Sequence, residues 1–308
     1  MQASPSTVAD SVAVAGRIVS RAASRNWVFL GDSLTEGVGS SRATYVTEFV
    51  KLLRAADRQC AVHDLRLRVV EPETFNPYIK TNLAGFLDED PNGTEPALWI
   101  WNLAAEGRTI ESDVSWMPWL RNIRPERVVI YRGSLESIVR PAHLQDGSWP
   151  WWVPRSWRGF VALDPRCYFS TTWYRRAKEA SVDALKQVVR HRLLAAKTGR
   201  PLIEADVLLK HLQELLAALD TLETKVSVLG LIPPDEQRFP GTPAHFAAVN
   251  ERLRSLANAA GAEFIDWTTM VTGRTAGPWR YRDGFHPNLA GSQLLARVLH
   301  DRLGRESS

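Results

Sequence analysis

Short apolar runs alternate along this chain with longer stretches in which apolar positions recur every three or four residues. The runs at Trp27 to Leu30, Arg66 to Val70, Leu98 to Asn102, Val128 to Tyr131, Val226 to Ile232 and Glu263 to Ile265 are strand candidates. The periodic stretches at Thr44 to Asp57, Pro118 to Ile123, Ile203 to Leu219, Ala244 to Ala260 and Ala290 to Leu303 are helix candidates. In the last of these, Leu294, Leu295, Val298 and Leu303 fall near helical spacing, so one face is expected against a sheet. Strands that alternate with helices predict a parallel sheet covered on both faces, a three-layer α/β/α domain over residues 26–305. Residues 1–25 read equally as a loose tail or a short first helix.

Residues 141–200 break this rhythm and are expected to form an inserted subdomain near the edge of the sheet where the strands end. The segment opens with a loop rich in Pro and Trp, and five of the chain's 12 tryptophans lie between Trp149 and Trp173. A helix is expected from about Thr172 to Lys197, with Ser170, Thr171 or Thr172 as its cap and Gly199 as its stop. Trp173, Ala177, Ala184, Leu185, Val188 and Val189 form a stripe on it. The insertion carries 11 Lys and Arg against 4 Asp and Glu, so it nets +7 in a chain whose total is +4. The tryptophans read either as an anchor onto the core or as an aromatic wall for a ligand, with Trp151, Trp152 and Trp157 as the candidate wall.

With 308 residues, 44% of them hydrophobic, the chain has enough apolar material for one large domain with an elaboration. No run of about 18 apolar residues occurs and the start lacks a secretory signal pattern, so a cytoplasmic protein without a membrane span is expected. Cys60 and Cys167 stand far apart, and the seven histidines do not cluster, so no disulfide framework, metal or organic cofactor is expected. The modest overall charge admits an anionic ligand without arguing for nucleic acid.

Open parallel sheets bind ligands beyond the carboxyl ends of their strands, and here polar residues follow three of the apolar runs. The first is Gly31-Asp32-Ser33-Leu34-Thr35-Glu36-Gly37, which puts a serine where a strand breaks into a turn. A serine hydroxyl needs a base to take its proton, and Asp283-Gly284-Phe285-His286-Pro287 supplies a histidine with a carboxylate three residues before it. Ser33 as nucleophile, His286 as general base and acid, and Asp283 as orienter would carry out acyl transfer.

The blocks Gly31-Asp32-Ser33-Leu34 and Asp283-x-x-His286-Pro287 resemble the first and last signature blocks of the GDSL, or SGNH, hydrolase family, in order and at the expected ends. A second block is recognisable in Asn102 to Thr109. The resemblance implies a flavodoxin-like fold, with Ser33 and Gly107 supplying backbone N–H groups to an oxyanion hole. It covers roughly residues 26–140 and 201–305, leaving the insertion outside. The third block departs from the pattern. Family members carry Gly-x-Asn-Asp there, and Gly133-Ser134-Leu135-Glu136 puts Leu135 at the position of the asparagine donor. One lost donor typically costs about 3 to 4 kcal/mol of transition-state stabilisation. Arg132, Ser134 and an insertion side chain are candidate substitutes.

The expected activity is therefore hydrolysis of a carboxylic ester, the acyl group being carried on a small molecule, sugar or lipid, with anionic and glycosidic substrates admitted. An acyltransferase using the same acyl-enzyme with a sugar, alcohol or amine acceptor, and a catalytically weakened binding or scaffold protein with a basic insertion, remain as alternatives.

Overall fold

The computed structural model describes residues 25–37, 44–56, 60–63, 98–104, 107–272 and 279–304. Six strands form one parallel sheet in the order β2-β3-β1-β4-β5-β6, where β1 is Arg25–Gly31, β2 Cys60–His63, β3 Leu98–Asn102, β4 Arg127–Tyr131, β5 Lys225–Leu229 and β6 Glu263–Ile265. Val28, Phe29 and Leu30 of β1 and Val128, Val129 and Ile130 of β4 are fully buried, because central parallel strands are covered on both faces. That burial is why they read as continuous apolar runs rather than alternating ones.

The strand expectations at residues 27–30, 98–102, 128–131, 226–232 and 263–265 correspond to β1, β3, β4, β5 and β6, with β5 ending at Leu229. The expected strand at Arg66 to Val70 lies outside the described residues. Strand β2 is an addition: Cys60-Ala61-Val62-His63 pairs with β3 at the sheet edge, and four residues carry too little periodicity to announce themselves.

The helices are α1 (Ser33–Glu36), α2 (Tyr45–Ala55), α3 (Met117–Ile123), α4 (Ser134–Ser137), α5 (His143–Asp146), α6 (Trp173–Ala196), α7 (Ala205–Asp220), α8 (Thr242–Ala259), α9 (Trp267–Thr272) and α10 (Leu289–Leu303). Helix α2 packs against α10, while α7 contacts α8 and the 3-10 turn Ile110–Trp116, giving the two helical layers. A reciprocal capping box between Thr44 and Thr47 starts α2, and its Tyr45 and Phe49 meet Phe29 and Trp27 of β1.

Chain direction across the sheet reverses at β1. The chain first builds β2 and β3 on one side of β1, then places β4, β5 and β6 on the other. The carboxyl ends of β3, β1 and β4 thus border the crevice where open α/β sheets bind ligands.

Arg140 and Arg200 form an isolated antiparallel bridge, with N–O distances of 2.9 and 2.8 Å, so the intervening segment leaves and rejoins the core at one place. It has a small core of its own, Val153, Leu163, Val189 and Leu193, against which Trp149 and Trp157 pack. Helix α6 follows the extended Thr172 as expected. Its buried side chains are Asp183, Val189, Arg190 and Leu193, so most of the apolar stripe faces outward, with Trp173 77% exposed. Charged residues take the inner face because Arg190 reaches Asp164 and the carbonyl of Val139.

Candidate active site

Strand β1 turns into α1 at a glycine that nothing else can replace: a Cβ on Gly31 would fall 2.0 Å from Thr35 Oγ1. Asp32 caps the one-turn helix. Its Oδ1 accepts from Leu34 N at 3.0 Å, and its backbone carbonyl accepts from Thr35 N and Glu36 N. Ser33 is thereby the first residue of α1. Buried Asn102 at the end of β3 braces this turn, donating to the Thr35 carbonyl at 3.2 Å and accepting from Ala104 N at 3.2 Å.

The second half of the site comes from the loop before α10. Asp283 Oδ1 accepts backbone N–H bonds from Phe285 at 2.9 Å and His286 at 3.1 Å, which folds the loop over its own carboxylate. Gly284 has φ +70°, and a Cβ there would meet Asp235 Cβ at 2.6 Å, so both conformation and space require glycine. Asn288 then caps α10 through Gly291 N at 3.1 Å.

These two loops, 253 residues apart in sequence, bring Ser33 Oγ to 2.9 Å from His286 Nε2. On the other side of the ring, His286 Nδ1 lies 2.5 Å from Asp283 Oδ2. Asp283 is 1% exposed, while the His286 side chain keeps 16% of its surface open. With Nδ1–H donated to the buried carboxylate, Nε2 is left to accept from the serine.

Gly107 borders the same cavity as Ser33 and has φ +74°. The loop it begins is clamped by the third block. Arg132, at the end of β4, donates from Nη1 to the Arg108 carbonyl at 2.9 Å, and its Nε and Nη2 each reach an Asp113 carboxylate oxygen at 2.6 Å. Glu136 Oε1 accepts from Ile110 N at 2.8 Å. Burial pushes the Glu136 carboxyl up to about 7, against the pull of nearby Arg132. Ser134 Oγ donates to Asp32 Oδ2, and burial likewise holds the Asp32 carboxyl above its ordinary value.

This arrangement corrects the reading of Arg132 and Ser134 as substitute oxyanion donors. Arg132 spends its guanidinium on Asp113 and Arg108, and Ser134 spends its hydroxyl on Asp32. Leu135, the departing residue, does face the cavity.

The ligand-wall reading of the tryptophans is corrected too. The cavity, about 460 Å³, is lined by Ser33, Gly107, Leu135, Asp283 and His286, and on the insertion side by residues 160–161 and 164–168. Trp151 is 92% exposed and Trp152 42%, while Trp157 lies under Lys186 against the insertion's small core. Phe160, Val161, Cys167 and Tyr168 line the cavity in their place. No local pattern singled them out, since a loop residue's contact with a distant cavity leaves no periodicity. Arg140, also at the cavity, shares Asp164 with Arg190 and holds the Leu135 carbonyl at 2.9 Å, so its charge is met within the protein.

The family model of the GDSL-like lipase/acylhydrolase family matches residues 29–294, which span both halves of this site. The chain belongs to the GDSL-like lipase/acylhydrolase family. The family's activity is ester hydrolysis. Similar solved structures include LAE5, an alpha/beta hydrolase enzyme from the metagenome of Lake Arreo, at 15% identity and TM-score 0.50, covering 92% of this chain and 96% of that one. An acetylxylan esterase from Geobacillus stearothermophilus matches at 14% identity and TM-score 0.49 over 91% and 94% of the two chains. A GDSL-like lipase from Bacteroides thetaiotaomicron matches at 12% identity and TM-score 0.47 over 92% and 89%. No curated protein matches the chain. Among the described residues, no helix is long and apolar enough to cross a membrane.

Proposed function

We propose that the protein hydrolyses a small carboxylic ester through an acyl-enzyme on Ser33. The observation that carries this is the line from Ser33 Oγ through His286 to buried Asp283, with Ser33 and His286 both on a cavity of about 460 Å³. His286 Nε2 takes the hydroxyl proton as Ser33 Oγ bonds to the carbonyl carbon. The resulting oxyanion is met by the N–H groups of Ser33 and Gly107, the former at the start of α1. Collapse breaks the bond to the alkoxide, which leaves with the proton from His286. Water then repeats the sequence on the acyl-enzyme and releases the acid. Asp283 holds the imidazole in the required tautomer and stabilises its charged form.

Leu135, Phe160, Val161 and Phe285 give the cavity apolar walls suited to an acyl group of modest size. Val161 is 54% exposed and Tyr168 60%, so the rim is open to solvent, which favours water over another acceptor for the acyl group. An organophosphonate that labels active serines should modify Ser33 and abolish turnover of an activated ester. A protein left unlabelled under conditions that modify a competent serine esterase would overturn the proposal.

A further inference from the structure

The geometry points to a binding site for a thiophilic divalent cation, best represented by Zn²⁺, formed by Cys167, Asp283 and His286. One donor atom from each of the three residues lies within 4.8 Å of the other two. A four-coordinate zinc ion, with its ligands about 2.0 to 2.3 Å away, sets donor–donor spacings of roughly 3.5 Å, so modest side-chain movement closes the site. A thiolate, an imidazole and a carboxylate together suit zinc and not the oxygen-seeking magnesium or calcium.

The thiol does not reach this place by accident of a floppy loop. The Arg166 N–H bonds Asp183 Oδ1 at 3.1 Å and the Ser170 N–H bonds Glu179 Oε2 at 2.8 Å, so the segment carrying Cys167 is tied to α6 on both sides. Cys167 also lines the cavity that holds Ser33, which gives an ion its route in and leaves the fourth coordination position open to water or substrate. Asp283 is buried and fixed by two backbone N–H bonds, so one donor is already in place.

Two of the three donors belong to the line that serves Ser33. An ion held by His286 and Asp283 removes the base that takes the serine proton, so occupation inhibits hydrolysis, and release restores it. This consequence rests on the proposed hydrolase function, whereas the binding itself does not. The chemistry of the inhibition is reversible exchange: the thiol and, where the ion enters at a protonated ring nitrogen, the imidazole give up protons to solvent as the metal bonds form.

The test titrates the metal-free protein with Zn²⁺ against a fluorescent zinc chelator, in parallel with hydrolysis of p-nitrophenyl acetate, for the natural chain, Cys167→Ala, Cys167→Ser and His286→Ala. Each protein's own metal-free rate is its reference, and thermal unfolding checks that each variant is folded. The expected result is one equivalent bound by the natural chain, weakened at least about tenfold in each variant. The zinc concentration that halves the rate should rise by the same factor in the two Cys167 variants, and EDTA should restore the natural chain. Equal zinc affinity in the natural chain and the Cys167 variants, or no stoichiometric binding, would overturn the inference. If binding depends on Cys167 but the protein shows no ester hydrolysis, the cation site stands and the proposed hydrolase function falls.

Discussion

Replacing Glu136 with Gln should remove a pH dependence that the natural chain builds into its core. Glu136 is fully buried, and its Oε1 is satisfied by Ile110 N. Burial raises its carboxyl from 4.5 to about 7 in the folded chain. The folded state therefore holds the proton where the unfolded state has released it, and stability contributed by the neutral carboxyl is full below about 4.5 and lost as pH rises to about 7. That separation of about 2.5 pH units corresponds to about 3 to 4 kcal/mol at roughly 1.4 kcal/mol per unit, of which roughly 2 to 3 kcal/mol falls between pH 5 and pH 8. Gln copies the neutral form and keeps the acceptor for Ile110 N. Urea unfolding followed by tryptophan fluorescence at pH 5, 6, 7 and 8 reads the effect as the difference between the two proteins, which cancels groups common to both. Glu136→Gln should gain on the natural chain by about 2 to 3 kcal/mol over this range, with no further gain above pH 8. Parallel curves, differing by a constant at every pH, would refute the reasoning that Glu136 is held neutral.

Leu135→Asn should raise turnover of a small activated ester, on the order of tenfold or more, because Arg132 and Ser134 are committed elsewhere and cannot stand in for the missing donor; steady-state kinetics showing an unchanged or lower kcat would mean that another group already fills the role. Gly284→Ala should cost about 1 to 3 kcal/mol in urea unfolding and lower kcat on the order of tenfold, since φ +70° and the 2.6 Å approach to Asp235 force the loop bearing His286 to shift. Arg132→Leu should destabilise the fold by about 3 to 5 kcal/mol, as it strands the fully buried Asp113 carboxylate. Adding Asp113→Asn should recover much of that loss, while kcat stays low because the bond to the Arg108 carbonyl beside Gly107 is still gone. Recovery of both would show that Arg132 does not position the Gly107 loop.

Much of the architecture was legible because burial writes itself into short-range pattern. Strands covered on both faces read as nearly continuous apolar runs, with Arg127 and Ser227 as buried polar exceptions, whereas the stripe on α6 misled because most of it faces outward. The serine turn and the Asp283–His286 loop were legible for a local reason as well: each is folded by N–H groups that bond to an aspartate within four residues, Asp32 or Asp283. Strand β2 escaped because four edge residues hold no period.

The chain alone supplied the candidate residues Ser33, Asp283 and His286 and their order, while the need for glycine at 31 and 284 came from the structure. Only the tertiary structure decided which side chains meet. It turned Arg132 and Ser134 into braces, left Trp151 and Trp152 in solvent, and set Cys167 beside the Asp283–His286 pair. The physical reason is that a residue's periodicity reports how buried it is, while its partner is chosen by the sheet order and by where the insertion rejoins the core. Ser33 could be recognised from its neighbours in sequence; what surrounds it in space could not.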